Sequence, residues 1–522
     1  MKELIYHRLL LPAIDTYASK VGFHDQGKER TFEQHGDRLF RLCHALKHQL
    51  GVESGDRFAV MATNSHEYLE LYHAAFLGAG IINPLNLRLA GKELDYIVRD
   101  SGTEVVFVDA FFAQMFADAM EASDEPSPIR HMVLIGEGDV PHDITYDDLI
   151  ATGDPVVPPE PEENDAALLM YTGGTTGLPK GVLLEHRAEM LNLYHVGTII
   201  DFDPESVYLH QTPMFHAASM GGIMGTPASG GKTVFMPLFD PAAAMGLIEQ
   251  QKVTQTVMVP TMIGMMLNHP EFKPERLSSL ELLTYGASPM PSAILDRLLD
   301  LYPDLDLSQG YGMTECSAVL TFLDGRDHKK GGPRLRSAGK PVPGVVLSIQ
   351  DADGNRVPRG ETGEVCAKAG NFMREYWNKP DATAEVFEDG WYHSGDAGYL
   401  DDGGYLFLVD RVKDMIVTGG ENVYSAEVEN AVAKHPAVEQ VAIIGIPNET
   451  WGEQVHAIVV VKDGAEVTEI EIIEIAREHI AGYKVPKSVE FRTEPLPLSG
   501  AMKVLKKDLR APYWEGHEKG IG

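Results

Sequence analysis

Residues 166–181 read Ala-Ala-Leu-Leu-Met-Tyr-Thr-Gly-Gly-Thr-Thr-Gly-Leu-Pro-Lys-Gly. The run Ala166–Tyr171 has the length and apolar character of a buried strand. A Pro-rich, acidic stretch, residues 155–164, precedes it and reads as a surface linker. The strand opens directly into a loop in which Gly173, Gly174 and Gly177 let the backbone come close to a ligand with its N–H groups turned inward. Thr172, Thr175 and Thr176 add hydroxyl donors, and Lys180 adds a point charge. Together these make a cradle for phosphate. The loop is not a Walker A motif, because no Gly-Lys-Ser/Thr follows the required gap. Taken alone, a glycine-rich loop also fits a plain turn.

Outward from this strand the same pattern repeats. Phe58–Ala62, Glu104–Ala110, Met132–Ile135 and Thr254–Pro260 read as buried strands, and Ser65–Leu77 reads as a helix between two of them. Alternation of this kind predicts an α/β fold with largely parallel sheets over the first 400 residues or so. The character then changes. Gly404–Asp410 reads as a strand, and Arg411-Val-Lys-Asp414 is a charged joint. A smaller α+β pattern follows, with helices at Ser425–His435 and Thr468–Ile480 and strands at Gln440–Ile446 and His456–Val461. Thr468 and Glu471 form a capping box that opens the second helix. The expected organisation is a large N-terminal multi-sheet α/β domain, residues 1–411, and a smaller, mobile C-terminal α+β domain, residues 412–522.

A chain of 522 residues exceeds one ordinary core, so two domains agree with length as well. No run of eighteen apolar residues suggests a membrane span, and the N-terminus lacks the cleavage site of a signal peptide. Cys43, Cys316 and Cys366 are far apart and odd in number, which suits small buried residues in a reducing cytoplasm. A net charge of −33 argues against nucleic acid as a partner. It also means that an anionic ligand must be held locally, by Lys, Arg, a divalent cation and backbone N–H groups.

Further segments carry chemistry. Ser308-Gln-Gly-Tyr-Gly-Met-Thr-Glu315 sets Tyr311 between two glycines, so that its ring can lie against a flat ligand. Thr314 offers a hydroxyl, and Glu315 a carboxylate suited to a hard cation. A strand end with a core tyrosine fits this segment equally well. Trp391-Tyr-His-Ser-Gly-Asp396 places a carboxylate where a vicinal diol could be held. Asp410–Asp414, Gly419–Tyr424 and Leu498–Arg510 complete the set. Glu315 also reads as a helix-capping carboxylate, His216 as a core histidine, and Lys503 as part of a basic helix face with Lys506, Lys507 and Arg510.

In this order, the segments resemble the adenylate-forming superfamily of acyl-CoA synthetases, coumarate-type ligases, luciferases and adenylation domains. The likeness runs from about residue 25 to 510 and is greatest to bacterial fatty-acyl-CoA and aryl-acyl-CoA ligases. It implies that Thr172, Gly173, Gly174, Thr175, Thr176, Gly177 and Lys180 hold the β- and γ-phosphates of ATP. Gly286, Ala287 and Ser288 would border adenine and the acyl group. Tyr311 would stack on adenine beside Gln309, Gly310 and Gly312. Thr314 would meet the α-phosphate, Glu315 would bind Mg²⁺, and Asp396 and Arg411 would hold the ribose. His216 would gate an acyl pocket that also includes Ala217, Gly221, Tyr285 and Gly286. Lys413 matches a hinge, Lys503 a catalytic lysine, and Gly419, Gly420 and Glu421 a strand that faces coenzyme A.

The implied reaction is ATP-dependent adenylation of a carboxylic acid followed by transfer to CoA, with release of pyrophosphate and AMP. No Gly-x-Ser-x-Gly nucleophile elbow occurs, in keeping with chemistry that needs no side-chain nucleophile. Two features depart from the family pattern or tune it. Met502 stands where a glycine usually precedes the catalytic lysine. Small residues Ala217–Gly222 leave room beside His216, which suits a medium- or long-chain fatty acid or another bulky acid, aryl acids included. A different acceptor (a carrier protein or oxygen) and a non-catalytic nucleotide-binding relative are the rival readings. A homodimer is the default assembly.

Overall fold

The computed structural model of the protein describes residues 2–172, 178–288, 290–411, 415–418, 421–448, 451–499 and 504–515. Strands of the described residues form four sheets. In the first, the strands Asp306–Tyr311, Leu282–Gly286, Gln255–Met258, Val207–His210, Lys232–Phe235 and Val21–Asp25 run parallel in that spatial order. The second is parallel from Ala166–Thr172 through Ile81–Pro84, Arg57–Met61, Val105–Asp109 and His131–Ile135 to Ile144–Thr145. Antiparallel strands close both sheets at their edges, Lys180–Glu185 among them.

Helix His66–Phe76 packs between the two sheets and is buried at every position but Glu67. Ser65 caps it, its hydroxyl accepting the Tyr68 N–H at 3.1 Å. Burial from both sides requires its polar side chains to pair with one another. His35 Nδ1 lies 3.0 Å from His66 Nε2, and His35 Nε2 lies 2.9 Å from His73 Nδ1. His73 Nε2 lies 3.0 Å from the Ile223 carbonyl, which can only accept, so His73 donates there. His35 then donates to His73, and His66 to His35. Desolvation lowers the pKa of all three, in keeping with this neutral chain. The chain ends on helix Met220–Ala228 and so fixes one wall of the site described below.

The structure corrects the sequence reading in two respects. A third sheet within the first 411 residues is wholly antiparallel, built from Val346–Gln350, Gly363–Lys368, Trp391–Leu400, Phe387–Glu388 and Leu406–Arg411. Several boundaries also move, because a proline or an N-cap starts the next element early. The strand expected over Thr254–Pro260 is Gln255–Met258, and Pro260 opens helix Pro260–Asn268. Ala110 opens helix Ala110–Glu121, capped by Asp109, so its strand is Val105–Asp109.

The fourth sheet is formed by the smaller C-terminal part. Gly452–Val461 is its central strand, pairing antiparallel with Val438–Asn448 and Ile416–Thr418 and parallel with Ser488–Arg492. Helices Ser425–Val432 and Glu469–His479 share a core cluster with these strands. The capping box is present: the Thr468 hydroxyl accepts the Glu471 N–H, and Glu471 Oε2 accepts the Thr468 N–H at 2.8 Å. Among the described residues no helix is long and apolar enough to cross a membrane. The three cysteines are buried.

Candidate active site

Parallel sheets place ligands at the carboxyl ends of their strands, where loops diverge. Thr172, Gly286 and Tyr311 end three such strands. They face one continuous crevice of about 2710 Å³, well above the few hundred Å³ that hold a single small ligand. That space accommodates a nucleotide and an acid together. Its walls include Thr172, Lys180, His216, Ala217, Gly221, Tyr285, Gly286, Ala287, Ser288, Gln309, Gly310, Tyr311, Gly312, Thr314, Glu315 and Asp396, so residues nominated from distant segments share one site. Gly173, Gly174, Thr175, Thr176 and Gly177 lie outside the described residues, as do Lys413, Gly419, Gly420 and Lys503. Glu421 begins strand Glu421–Val423, and Arg411 ends strand Leu406–Arg411.

At one end of the crevice, Tyr376 ties two of these residues together. Its hydroxyl donates to Glu315 Oε1 at 2.7 Å, and the Lys180 ammonium lies 4.8 Å from the centre of its ring. Strand pairing sets Thr172 opposite Lys180, which closes the base of the glycine-rich loop. Thr314 and Glu315 begin a short 3₁₀ turn, Thr314–Cys316, held by a hydrogen bond from the Met373 N–H to the Glu315 carbonyl at 2.7 Å. This end combines a cation, a carboxylate and hydroxyls, the donor set for phosphate and a hard divalent cation.

In the middle, the Tyr311 hydroxyl donates to Asp396 Oδ2 at 2.7 Å. Burial, reinforced by that carboxylate, pushes the phenol pKa well above its ordinary value, so it stays a donor. Asp396 sits opposite Arg411 across paired strands. Gly286 and Gly310 also face each other, and a Cβ on Gly286 would stand 2.3 Å from the Gly310 carbonyl oxygen. Any side chain there would push the strands apart. Ala287 follows at φ +66°, in the left-handed region, and turns the chain sharply at the crevice wall.

At the far end, His216 precedes the turn Ala217–Ser219, and its Nδ1 accepts the Ala218 N–H at 3.2 Å. That contact fixes the neutral tautomer with Nε2 protonated. Tyr285 is fully buried, with its hydroxyl 2.8 Å from His328 Nε2. The smaller part of the chain reaches the crevice through Leu498, Ser499 and Val504–Asp508. Leu498 and Val504 pair as an antiparallel bridge on either side of residues 499–503. Arg88 Nη1 donates to the Leu498 and Ser499 carbonyls at 3.2 and 3.1 Å, joining this bridge to the large domain. Sequence reasoning missed Tyr376 and Arg88. Neither belongs to a glycine-rich or charged motif, and their partners are 61 and 410 residues away.

A crevice that gathers Lys180, Glu315, Tyr311, Asp396 and His216, lined by residues of both the large and the small part of the chain, fits an adenylate-forming enzyme. Residues 12–377 match the model of the AMP-binding enzyme family, and residues 427–503 match the AMP-binding enzyme C-terminal domain. The chain belongs to this family. It is 38% identical over 488 residues to a feruloyl-CoA synthase of an Amycolatopsis species, covering 93% of this chain and 94% of that protein. It is 35% identical over 478 residues to the long-chain-fatty-acid–CoA ligase FadD13 of Mycobacterium tuberculosis, covering 91% and 92%. Among solved structures, the anthranilate CoA ligase AuaEII in complex with anthranoyl-AMP matches with a TM-score of 0.90 at 26% identity over 98% of each chain.

Proposed function

We propose that the protein adenylates a bulky carboxylic acid with ATP and passes the acyl group to coenzyme A. The observation that carries this reading is the single crevice running from Lys180 and Glu315, past Tyr311 and Asp396, to His216 and Gly221. A carboxylate cannot acylate a thiol directly, because oxide would have to leave. Its oxygen instead attacks the α-phosphorus of ATP, pyrophosphate departs, and AMP becomes the leaving group for the thiol. The protein supplies position and charge. Lys180 and the glycine-rich loop hold the departing phosphates. Thr314 donates to the α-phosphate, and Asp396, steadied by Tyr311, accepts from the ribose. Glu315 offers a carboxylate to Mg²⁺, which would offset phosphate charge when bound.

Lys503 completes the adenylation site in this reading. Its support is the bridge Leu498–Val504, whose two residues flank the lysine's loop and line the crevice. The thiol then needs the same space. Rotation of residues 412–522 about Lys413 would withdraw Lys503 and bring Gly419, Gly420 and Glu421 to the pantetheine arm. The relatives include a feruloyl-CoA synthase and a long-chain-fatty-acid–CoA ligase, so aryl and fatty acids are both candidates. A pyrophosphate-release panel over acids of rising chain length and aromaticity, with and without CoA, tests the proposal. Acid-dependent pyrophosphate release and CoA-dependent AMP release are expected. Release of neither with any acid would refute it.

A further inference from the structure

Helix His186–Val196 contributes an inner wall of the crevice, and among its buried polar side chains Glu189 and Asn192 stand one turn apart. Asn192 is 1% exposed and lines the crevice, yet neither its Oδ1 nor its Nδ2 has a hydrogen-bond partner among the described residues. Glu189 is 0% exposed, and neither carboxyl oxygen makes a hydrogen bond of ordinary geometry. Ser317, whose hydroxyl is the group beside that carboxyl, gives its proton to the Asn371 carbonyl at 3.0 Å. An orphaned buried amide carries a desolvation penalty that a packed wall would not retain without a partner.

The location of Asn192 follows from its neighbours along the helix. Val196, one turn on, packs against Gly221, where a Cβ would come within 3.2 Å of its Cγ1. Glu189, one turn back, lies by Ser317. Asn192 therefore sits between the small-residue wall at Ala217–Gly221 and the segment Ser317–Val319, inside the region read above as the acyl pocket. An unbranched alkyl chain would leave its amide dry and unpaired. An acid with an oxygen-bearing group remote from its carboxylate would satisfy it.

We propose that Asn192 is a specificity-determining residue that hydrogen-bonds a hydroxyl or ether oxygen on the distal part of the acid. The inference rests on the acyl-CoA ligase reading and names the substrate class within it. Both amide atoms lack a partner among the described residues, so a phenol that reaches them can donate to Oδ1 while its oxygen accepts from Nδ2. An aryl acid bearing a ring hydroxyl and a hydroxylated aliphatic acid present the same chemistry.

The test measures CoA-dependent kcat/KM for two pairs: 4-hydroxycinnamate against cinnamate, and 10-hydroxydecanoate against decanoate. The wild type is expected to favour the hydroxylated member of at least one pair by about 10–100-fold, the discrimination that a buried hydrogen bond supplies. Asn192→Leu, which keeps the volume, should collapse that ratio toward one. Asn192→Ala should do the same should the leucine variant not fold. A purely structural asparagine would instead lower both members of a pair together and leave the ratio unchanged. A wild-type ratio near one in both series, or an unchanged ratio in the variants, overturns the proposal while the ligase reading stands. Failure to form a thioester from any acid of the wider panel overturns that reading, and the proposal with it.

Discussion

The Tyr376 hydroxyl donates to Glu315 Oε1 at 2.7 Å while its ring faces the Lys180 ammonium. One side chain thus holds the proposed phosphate cation and the proposed metal carboxylate in register. Tyr376→Phe keeps the ring and loses the hydrogen bond. It is expected to slow acid-dependent pyrophosphate exchange about 10–100-fold, the scale of one hydrogen bond to a charged group, and to raise the Mg²⁺ concentration needed for half-maximal rate. Tyr376→Ala removes both contacts and should be slower still. An unchanged Mg²⁺ dependence in the phenylalanine variant would remove Tyr376 from the metal site.

Asp396 accepts from a buried phenol and lies opposite Arg411, so the carboxylate proposed to hold the ribose also has a structural partner. Asp396→Ala should raise KM for ATP on the order of 100-fold, because it removes the ribose acceptor and strands the Tyr311 hydroxyl. Tyr311→Phe removes the donor as well as the need for it, leaving the ring in place, and should cost less than tenfold. Steady-state kinetics at saturating acid would check the order; equal effects would place the main role of Asp396 elsewhere than the ribose.

Much of this was legible in the sequence because it depends on local pattern. Strands such as Val105–Asp109 are short β-branched runs, and the Thr468–Glu471 cap needs only three residues of spacing. The order of the motifs carried the site, since Gly286, Tyr311 and Thr172 end parallel strands and so converge. What escaped the sequence is non-local or inverted. The third sheet mixes polar and apolar residues, as in Gly363-Glu-Val-Cys-Ala-Lys368, and gives no clean alternation. Glu189 and Asn192 look like the solvated face of a helix, yet both are buried. His66, Glu70 and His73 likewise face the core, where the histidines pair with His35 and Glu70 accepts from Arg38 and Tyr146.

Glu189 also predicts a pH dependence of stability. Burial raises its carboxyl pKa from 4.5 to about 8. In the unfolded chain the group ionises above its ordinary value, while the folded protein keeps the proton until about pH 8. The folded state therefore binds more protons across this window, and stability falls as pH rises from 4.5 toward 8. The contribution is complete below the window and gone above it, at up to about 1.4 kcal/mol per pH unit. Glu189→Gln keeps the shape and cannot ionise. Relative to the wild type, it should gain stability progressively between pH 5 and pH 8 in urea unfolding. A wild-type–variant difference that does not change with pH would show that Glu189 ionises normally.

Substitution of Arg88 offers a way to separate the two proposed half-reactions. The Arg88 guanidinium holds the Leu498 and Ser499 carbonyls, a few residues before Lys503 in the sequence, against the large domain. If this arrangement serves adenylation, Arg88→Ala should slow single-turnover adenylate formation several-fold and leave conversion of supplied acyl-adenylate to thioester nearly intact. Lys503→Ala should show the same split more deeply, by two orders of magnitude or so for a lost charge at the reacting phosphate. Lys413→Pro, which stiffens the proposed hinge, should do the reverse and slow thioester formation more than adenylation. The three variants thus make a crossed pattern that simple destabilisation cannot produce, since loss of folded enzyme lowers both half-reactions by one factor. Parallel losses in all three would place the adenylating lysine, and the motion that withdraws it, somewhere other than this loop.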